Sequence, residues 1–302
     1  VVVNPLVSDI GNYAIWFFVV TSIAAMGLNL TVKEIIAPWK KKGLLSISLI
    51  ANFVAVPLFA LLILRIFPLD TGLATGLLIV AAAAGAPSLP KAISIMKGDV
   101  AYAVGLTMIL ILATIMYMPA VLPFMIGSVA IDKTNTILYL IVFMLIPLII
   151  TMALRARLPE MAKRIHPLIS RTSDLSIILV LLIYTFILFT SDFTVKAGAV
   201  LGLQGVLVAI LFILGSFGIG HLMAGRESGS REVLSFGTGF RNISAALVVV
   251  TANFRDPQIM FMVLVIAIFG IIFMMLFGGL IFQKKRKNKK KTLSRTTSAI
   301  RP

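Results

Sequence analysis

The chain has 302 residues, 60% of them apolar, no cysteine and a formal net charge of +16. Without cysteine there can be no disulfide, thiolate metal site or cysteine nucleophile. Apolar runs of about eighteen residues or more recur with hardly a charge, so lipid is the solvent for most side chains. The positive charge then belongs to loops between spans rather than to a nucleic-acid surface.

Apolar windows read against their polar interruptions predict nine membrane spans, at about 12–30, 43–64, 72–96, 100–127, 135–154, 174–190, 198–224, 232–252 and 257–282. Residues 1–11 form an extracytoplasmic segment, 12–282 the transmembrane domain and 283–302 a basic cytoplasmic tail. This orientation puts Lys33, Lys40 to Lys42, Lys97, Arg155, Arg157, Lys163, Arg164, Arg171, Arg226, Arg231 and the tail inside. Only Arg65, Lys133, Lys196 and Arg255 are left outside, as the positive-inside rule requires. A bacterial inner membrane is the plain expectation. The tail "KKRKNKKKTLSRTTSAIRP" reads as an unstructured stop-transfer signal, with attraction to anionic lipid as the alternative.

In the third span, "GAPSLPKAISI" (85–95) places Lys91 among Gly85, Pro87 and Pro90, which interrupt a helix. In the eighth, "SFGTGFRNISAAL" (235–247) places Arg241 beside Gly237 and Gly239. Ser88 and Asn242 are candidate N-caps for the half-helices that follow. No acidic residue lies in the middle of a span; Asp174, at the start of the sixth, comes nearest. The two cations therefore have no evident carboxylate partner. A charge at bilayer depth usually faces a cavity and serves a function, and irregular backbone there must be covered by protein or line water. Lys91 either does this or snorkels to the cytoplasmic edge. Arg241 either does this or binds backbone carbonyls at the helix break. The two breaks lie at similar places in the two halves of the chain, the layout of transporters built from inverted repeats.

Four stretches, in order and spacing, resemble the bile acid:sodium symporter family: "MGLNLTVKEI" (26–35), "ANFVAVPL" (51–58), "GAPSLPKAISIMKGDVA" (85–101) and "GTGFRNISAALVV" (237–249). The resemblance implies an all-α fold of two inverted five-helix repeats with two crossed discontinuous helices, of which this chain would lack the first helix. A core domain would hold spans 2, 3, 4, 7, 8 and 9, and a panel spans 1, 5 and 6. Substrate would enter between them, and movement of core against panel would give alternating access. The family's sodium ligands are largely replaced. Leu89 and Pro90 stand for a serine and an asparagine, Ala103 with Thr107 for hydroxyls, Gly237 and Arg241 for an acidic and an amide ligand, and Asn52 for a glutamine. Asn242 is kept. A hard cation needs oxygen ligands, and most are gone.

The expected function is thus secondary transport of a small organic anion, with sodium coupling weak, absent or replaced by the built-in cations Arg241 and Lys91. The substrate-binding candidates are Lys91, Arg241, Asn242, Ser88, Thr107, Thr238 and Asn52, and no residue is assigned to a metal. No cofactor is expected; sodium remains open, and a desolvated Lys91 can carry a coupled proton. The expected partners are the organic anion and membrane lipid, with no nucleic acid, and the chain reads as a monomer. Sodium-coupled symport of a bile-acid-like anion and an anion channel or sensing module are the alternatives. An enzyme is disfavoured: only His166 and His221 exist, and neither HExxH nor GxSxG is present.

Overall fold

Proline and glycine decide where the helices of this chain bend and stop, and the computed structural model shows how each interruption is used. Backbone is described for residues 5–127, 131–190, 193–225 and 228–299, and side chains for 9–31, 33–127, 131–186, 203–225 and 231–279. The side chains of Lys196, Arg226 and the basic tail, on which the orientation partly rests, lie outside the described residues.

Every described element is helical. Helix α1 (Pro5–Asn29) is followed by the short α2 (Val32–Ile36). At the start of α2 the Glu34 carboxylate accepts from the Thr31 backbone N–H at 2.8 Å and from its hydroxyl at 2.6 Å. A 3-10 turn (Ala37–Lys41) leads into α3 (Lys42–Ile50), which widens into a π turn (Ala51–Ala55) before α4 (Val56–Ile66). Pro57 has no N–H to offer the carbonyl of Phe53, four residues back. The Tyr117 hydroxyl donates to that oxygen instead, at 2.7 Å.

Next come α5 (Thr71–Ala82) and α6 (Leu89–Ile95), separated by a non-helical stretch at 83–88. Of the three residues expected to interrupt the helix, Gly85 lies within the break, ahead of both prolines. Gly85 turns the chain at φ 83°, and a Cβ there would stand 2.7 Å from the backbone nitrogen of Ile111, on the helix that follows α6. Pro90 instead lies in the first turn of α6, where a missing N–H breaks no bond. Ser88 holds the N-cap position, but its side chain makes no capping hydrogen bond, contrary to the expectation.

The chain continues through α7 (Val100–Ile126), α8 (Lys133–Leu140), a second π turn (Ile141–Leu145) and α9 (Ile146–Arg157). Helices α10 (Pro159–Thr190), α11 (Phe193–Met223), α12 (Ser228–Gly239), α13 (Ile243–Asn253) and α14 (Pro257–Ala299) complete it. Among the described residues, eight stretches of helix are long and apolar enough to cross a membrane, so this is a multi-pass membrane protein. The difference from nine lies in the third expected span, which the break divides into helices of 12 and 7 residues. The tail also departs from expectation. Its basic residues continue α14 to Ala299, since lysine and arginine are good helix formers and neither glycine nor proline occurs in 280–299.

Within Arg231–Asn253, 94% of an 18-residue apolar segment is buried, against 17% of the corresponding segments of Lys133–Arg157 and Pro159–Phe186. Helices α12 and α13 are therefore the axis of the molecule, and α9 and α10 lie on its rim. Along that axis Leu247, Val248 and Val249 are fully buried in one apolar core with Leu77, Ile79 and Val80 of α5. Helix α1 packs along α9 and α10, while α5 packs along α7 and α14.

Candidate functional site: two interrupted helices and a buried arginine

The two helix breaks touch. The Asn242 N–H, in the gap between α12 and α13, donates to the Ala83 carbonyl, in the gap after α5, at 2.9 Å. Thr114 of α7 braces the first gap from the side. Its hydroxyl donates to the Ala84 carbonyl at 3.0 Å and accepts from the Ala84 N–H at 3.1 Å, satisfying both backbone groups of one buried residue. Asn242 caps α13 as expected, with its Oδ1 accepting from the Ala245 N–H at 3.0 Å.

Arg241 is 4% exposed. Its Nε donates to the Val80 carbonyl at 3.2 Å. Nη1 donates to Asn52 Oδ1 at 2.8 Å and to the Thr238 carbonyl at 3.3 Å. Nη2 donates to the Ala81 carbonyl at 2.6 Å and to the Asn52 carbonyl at 3.4 Å. A guanidinium has five N–H groups, and all five are used. The oxygens come from helix ends and from a bulge. Val80 and Ala81 lie in the last turn of α5, where the helix dipole is negative, the Val80 carbonyl also accepting from the Ala83 N–H at 3.1 Å, and Asn52 lies in the π turn. The Asn52 amide is oriented in turn, because its Nδ2 donates to the Ser48 carbonyl at 2.9 Å. The charge is thus compensated by aligned backbone dipoles rather than by a carboxylate. This is the carbonyl-pairing alternative of the sequence reading.

Lys91 departs from expectation. It is neither buried nor unpaired: its Nζ lies 2.7 Å from Asp174 Oδ2, and the two side chains are 58% and 59% exposed. Helix α10 begins at Pro159, well before the span expected at 174–190, so Asp174 sits in mid-helix and reaches across to α6. Lys91 is therefore not desolvated, and the physical basis for a proton carrier at that position is absent.

Lys91 and Arg241 nevertheless line one cavity of about 250 Å³, together with Ser22, Ser88, Ser173 and Ser244. A second cavity of about 410 Å³ adjoins it and shares Ser22, Ser88, Lys91, Ser173 and Asp174. Asn52 and Thr238 lie behind Arg241 and hold it, and neither lines these cavities. Thr107 is fully buried and donates to the Ala103 carbonyl of its own helix at 2.8 Å. Pro87 and Gly239 line the smaller cavity, and a Cβ on Gly239 would strike the Phe217 ring of α11. Gly237 is helical; a Cβ there would come within 3.2 Å of Leu89, so its role is close approach of α12 to α6.

Two buried groups at the start of α13, Asn242 Nδ2 and Ser244 Oγ, have no hydrogen-bond partner. Ser244, two residues past the cap, was legible as a first-turn hydroxyl and was missed. Asp174, Ser22 and Ser173 come from distant helices, and nothing in the sequence ties them to Lys91.

Among the described residues, eight apolar helices of which one is almost wholly buried, a broken helix pair and an adjoining crevice with a few polar groups on apolar walls fit an integral membrane protein of the transporter class. The chain belongs to the sodium bile acid symporter family, whose model matches residues 16–197, more than half of its length. This is a family of transporters, so the protein is not an enzyme. The match ends before α12, leaving Arg241 and Asn242 outside it. No curated protein matches the chain.

Proposed function

We infer that the protein is a secondary transporter of a small organic anion, working by alternating access, in which Arg241 supplies the positive charge that bound sodium supplies in coupled relatives. The observation that carries this reading is the cage around Arg241. Sodium needs a set of oxygens, and the five oxygens gathered at the meeting of the two breaks are already taken by the guanidinium. A cation that cannot leave gives the crevice a permanent positive potential. Coulomb attraction between unit charges amounts to roughly 4 kcal/mol at 4 Å and about 2 kcal/mol at 8 Å for an effective dielectric of 20.

Because no N–H of Arg241 is spare, a substrate carboxylate is attracted by its field and not gripped by its fork. A hydrogen bond comes instead from Ser244 Oγ, unpartnered on the wall of the smaller cavity at the N-terminus of α13, where a helix dipole also favours an anion; Asn242 caps that helix from behind and lines neither cavity. The apolar wall residues of the same cavity, Phe18, Ile95, Ile177 and Met274 among them, suit a hydrophobic body. The contact between the two helix breaks, the packing of α1 with α9 and α10, and the lysines and arginines of the loops support a core moving against a panel, with the N-terminus outside.

The family's name favours a second reading, sodium-coupled symport. Thermal unfolding of the purified chain separates the two. With hexanoate, benzoate and taurocholate each tested in sodium and in potassium salt, an anion at about 100 times its dissociation constant stabilises the native state by ~2.7 kcal/mol. The expected result is stabilisation by at least one anion to the same extent in both salts. Stabilisation that requires sodium, or that sodium gives alone, would overturn the proposal.

A further inference from the structure

The charge inside the crevice can be counted. Among the described residues, the ionisable groups on the walls of the two adjoining cavities are Arg241, Lys91, Asp174 and His166. Arg241 is held by neutral oxygens, which do not cancel its charge, whereas Lys91 and Asp174 cancel one another across 2.7 Å. At pH 8, where an ordinary imidazole is neutral, the crevice carries the single positive charge of Arg241. Lys91 and Asp174 stand on both cavities at once, from α6 on one side and α10 on the other, so a solute in either meets them.

We propose that Asp174 sets the valence of the solute: by cancelling Lys91 it leaves a crevice matched to a monoanion and hostile to a dianion. This rests on the anion-transport reading above and adds the substrate class within it, a monoanion with an apolar body. A monocarboxylate neutralises the Arg241 field and leaves the Lys91–Asp174 pair intact. A dicarboxylate would have either to keep its second charge uncompensated beside Asp174 or to pull Lys91 away and leave the aspartate unpaired. Neither cost arises once the carboxylate is gone, since Lys91 is then free to take the second charge. Each side chain is more than half exposed, so solvent screens the effect to well below its buried limit.

The test is a series of charge states in one fold. Hexanoate and adipate have six carbons each and differ by one charge at pH 8. Binding of both is measured by thermal-shift titration of the full-length wild type, Asp174→Asn, Lys91→Met and the double variant Lys91→Met/Asp174→Asn. Adipate is expected to gain about tenfold over hexanoate in Asp174→Asn, and hexanoate to weaken about tenfold in Lys91→Met. The double variant, with the crevice charge of the wild type, is expected to return to the wild-type ratio. That return distinguishes charge setting from loss of a structural contact. If Asp174→Asn does not unfold cooperatively, Lys91→Met and the double variant decide alone.

The proposal is overturned if hexanoate binds but the ratio is unchanged in Asp174→Asn, if the double variant fails to return, or if wild type prefers adipate. The anion-transport reading survives all three of these results. Failure of hexanoate and adipate to bind any of the four proteins would remove that reading and this one with it.

Discussion

Replacing Arg241 by alanine removes the one buried cation among the described residues, and its cost can be worked from the cage. Ala81 O at 2.6 Å and Asn52 Oδ1 at 2.8 Å make the two short bonds and would be left as buried acceptors without a donor. Each such acceptor costs about 1–3 kcal/mol, giving ~2–6 kcal/mol together. Relief of the arginine's own desolvation pulls the net toward the lower end of that range. Lys91→Met is the internal comparison, because it breaks an exposed ion pair worth about 0–1 kcal/mol. Thermal unfolding of detergent-purified protein, followed by Trp16 and Trp39 fluorescence, reads both variants. In potassium chloride the midpoint of Arg241→Ala should fall several times further than that of Lys91→Met. In sodium chloride part of the loss should return for Arg241→Ala alone, because the vacated oxygens then face a cation that can use them. An Arg241→Ala midpoint no lower than that of Lys91→Met would refute the cage as described.

The backbone at the first break gives two further predictions, both read from the same unfolding measurement. Gly85→Ala places a Cβ at a φ of 83° and 2.7 Å from the Ile111 nitrogen, so it should cost at least ~1–3 kcal/mol through strain alone; a wild-type midpoint would contradict this. Thr114→Val keeps the shape but removes both hydrogen bonds to Ala84, leaving a buried N–H and C=O unpaired, for a loss of about 2 kcal/mol or more; a neutral effect would mean that water replaces the hydroxyl.

Much of the architecture could be read from the sequence, because apolar length and helix breakers act locally. The spans, the two interruptions and the cap on Asn242 all depend on residues within a turn or two of one another. Arg241 also stood out, since an arginine in an apolar window is conspicuous whatever surrounds it. What surrounds it did not stand out: four of its five partners are oxygens of Val80, Ala81 and Asn52, some 160 to 190 residues away in sequence, and most of the five are backbone carbonyls, which every residue has. Lys91 was misread for a related reason. Its partner Asp174 is 83 residues distant, on a helix whose polar first turns hid its true length. The sequence offers Gly85, Pro87 and Pro90 together as the cause of the break at 83–88 and does not divide the work among them. In the fold, Gly85 makes the turn, and Pro90 suits the start of the next helix.

Initial-rate uptake of an anion found to bind, into proteoliposomes holding the wild-type chain, tests most directly whether a fixed arginine stands in for sodium. Saturable uptake that is equal with sodium or potassium outside, and that is lost in Arg241→Gln, is the predicted result. Uptake that climbs steeply with external sodium and is unaltered in Arg241→Gln would contradict the account.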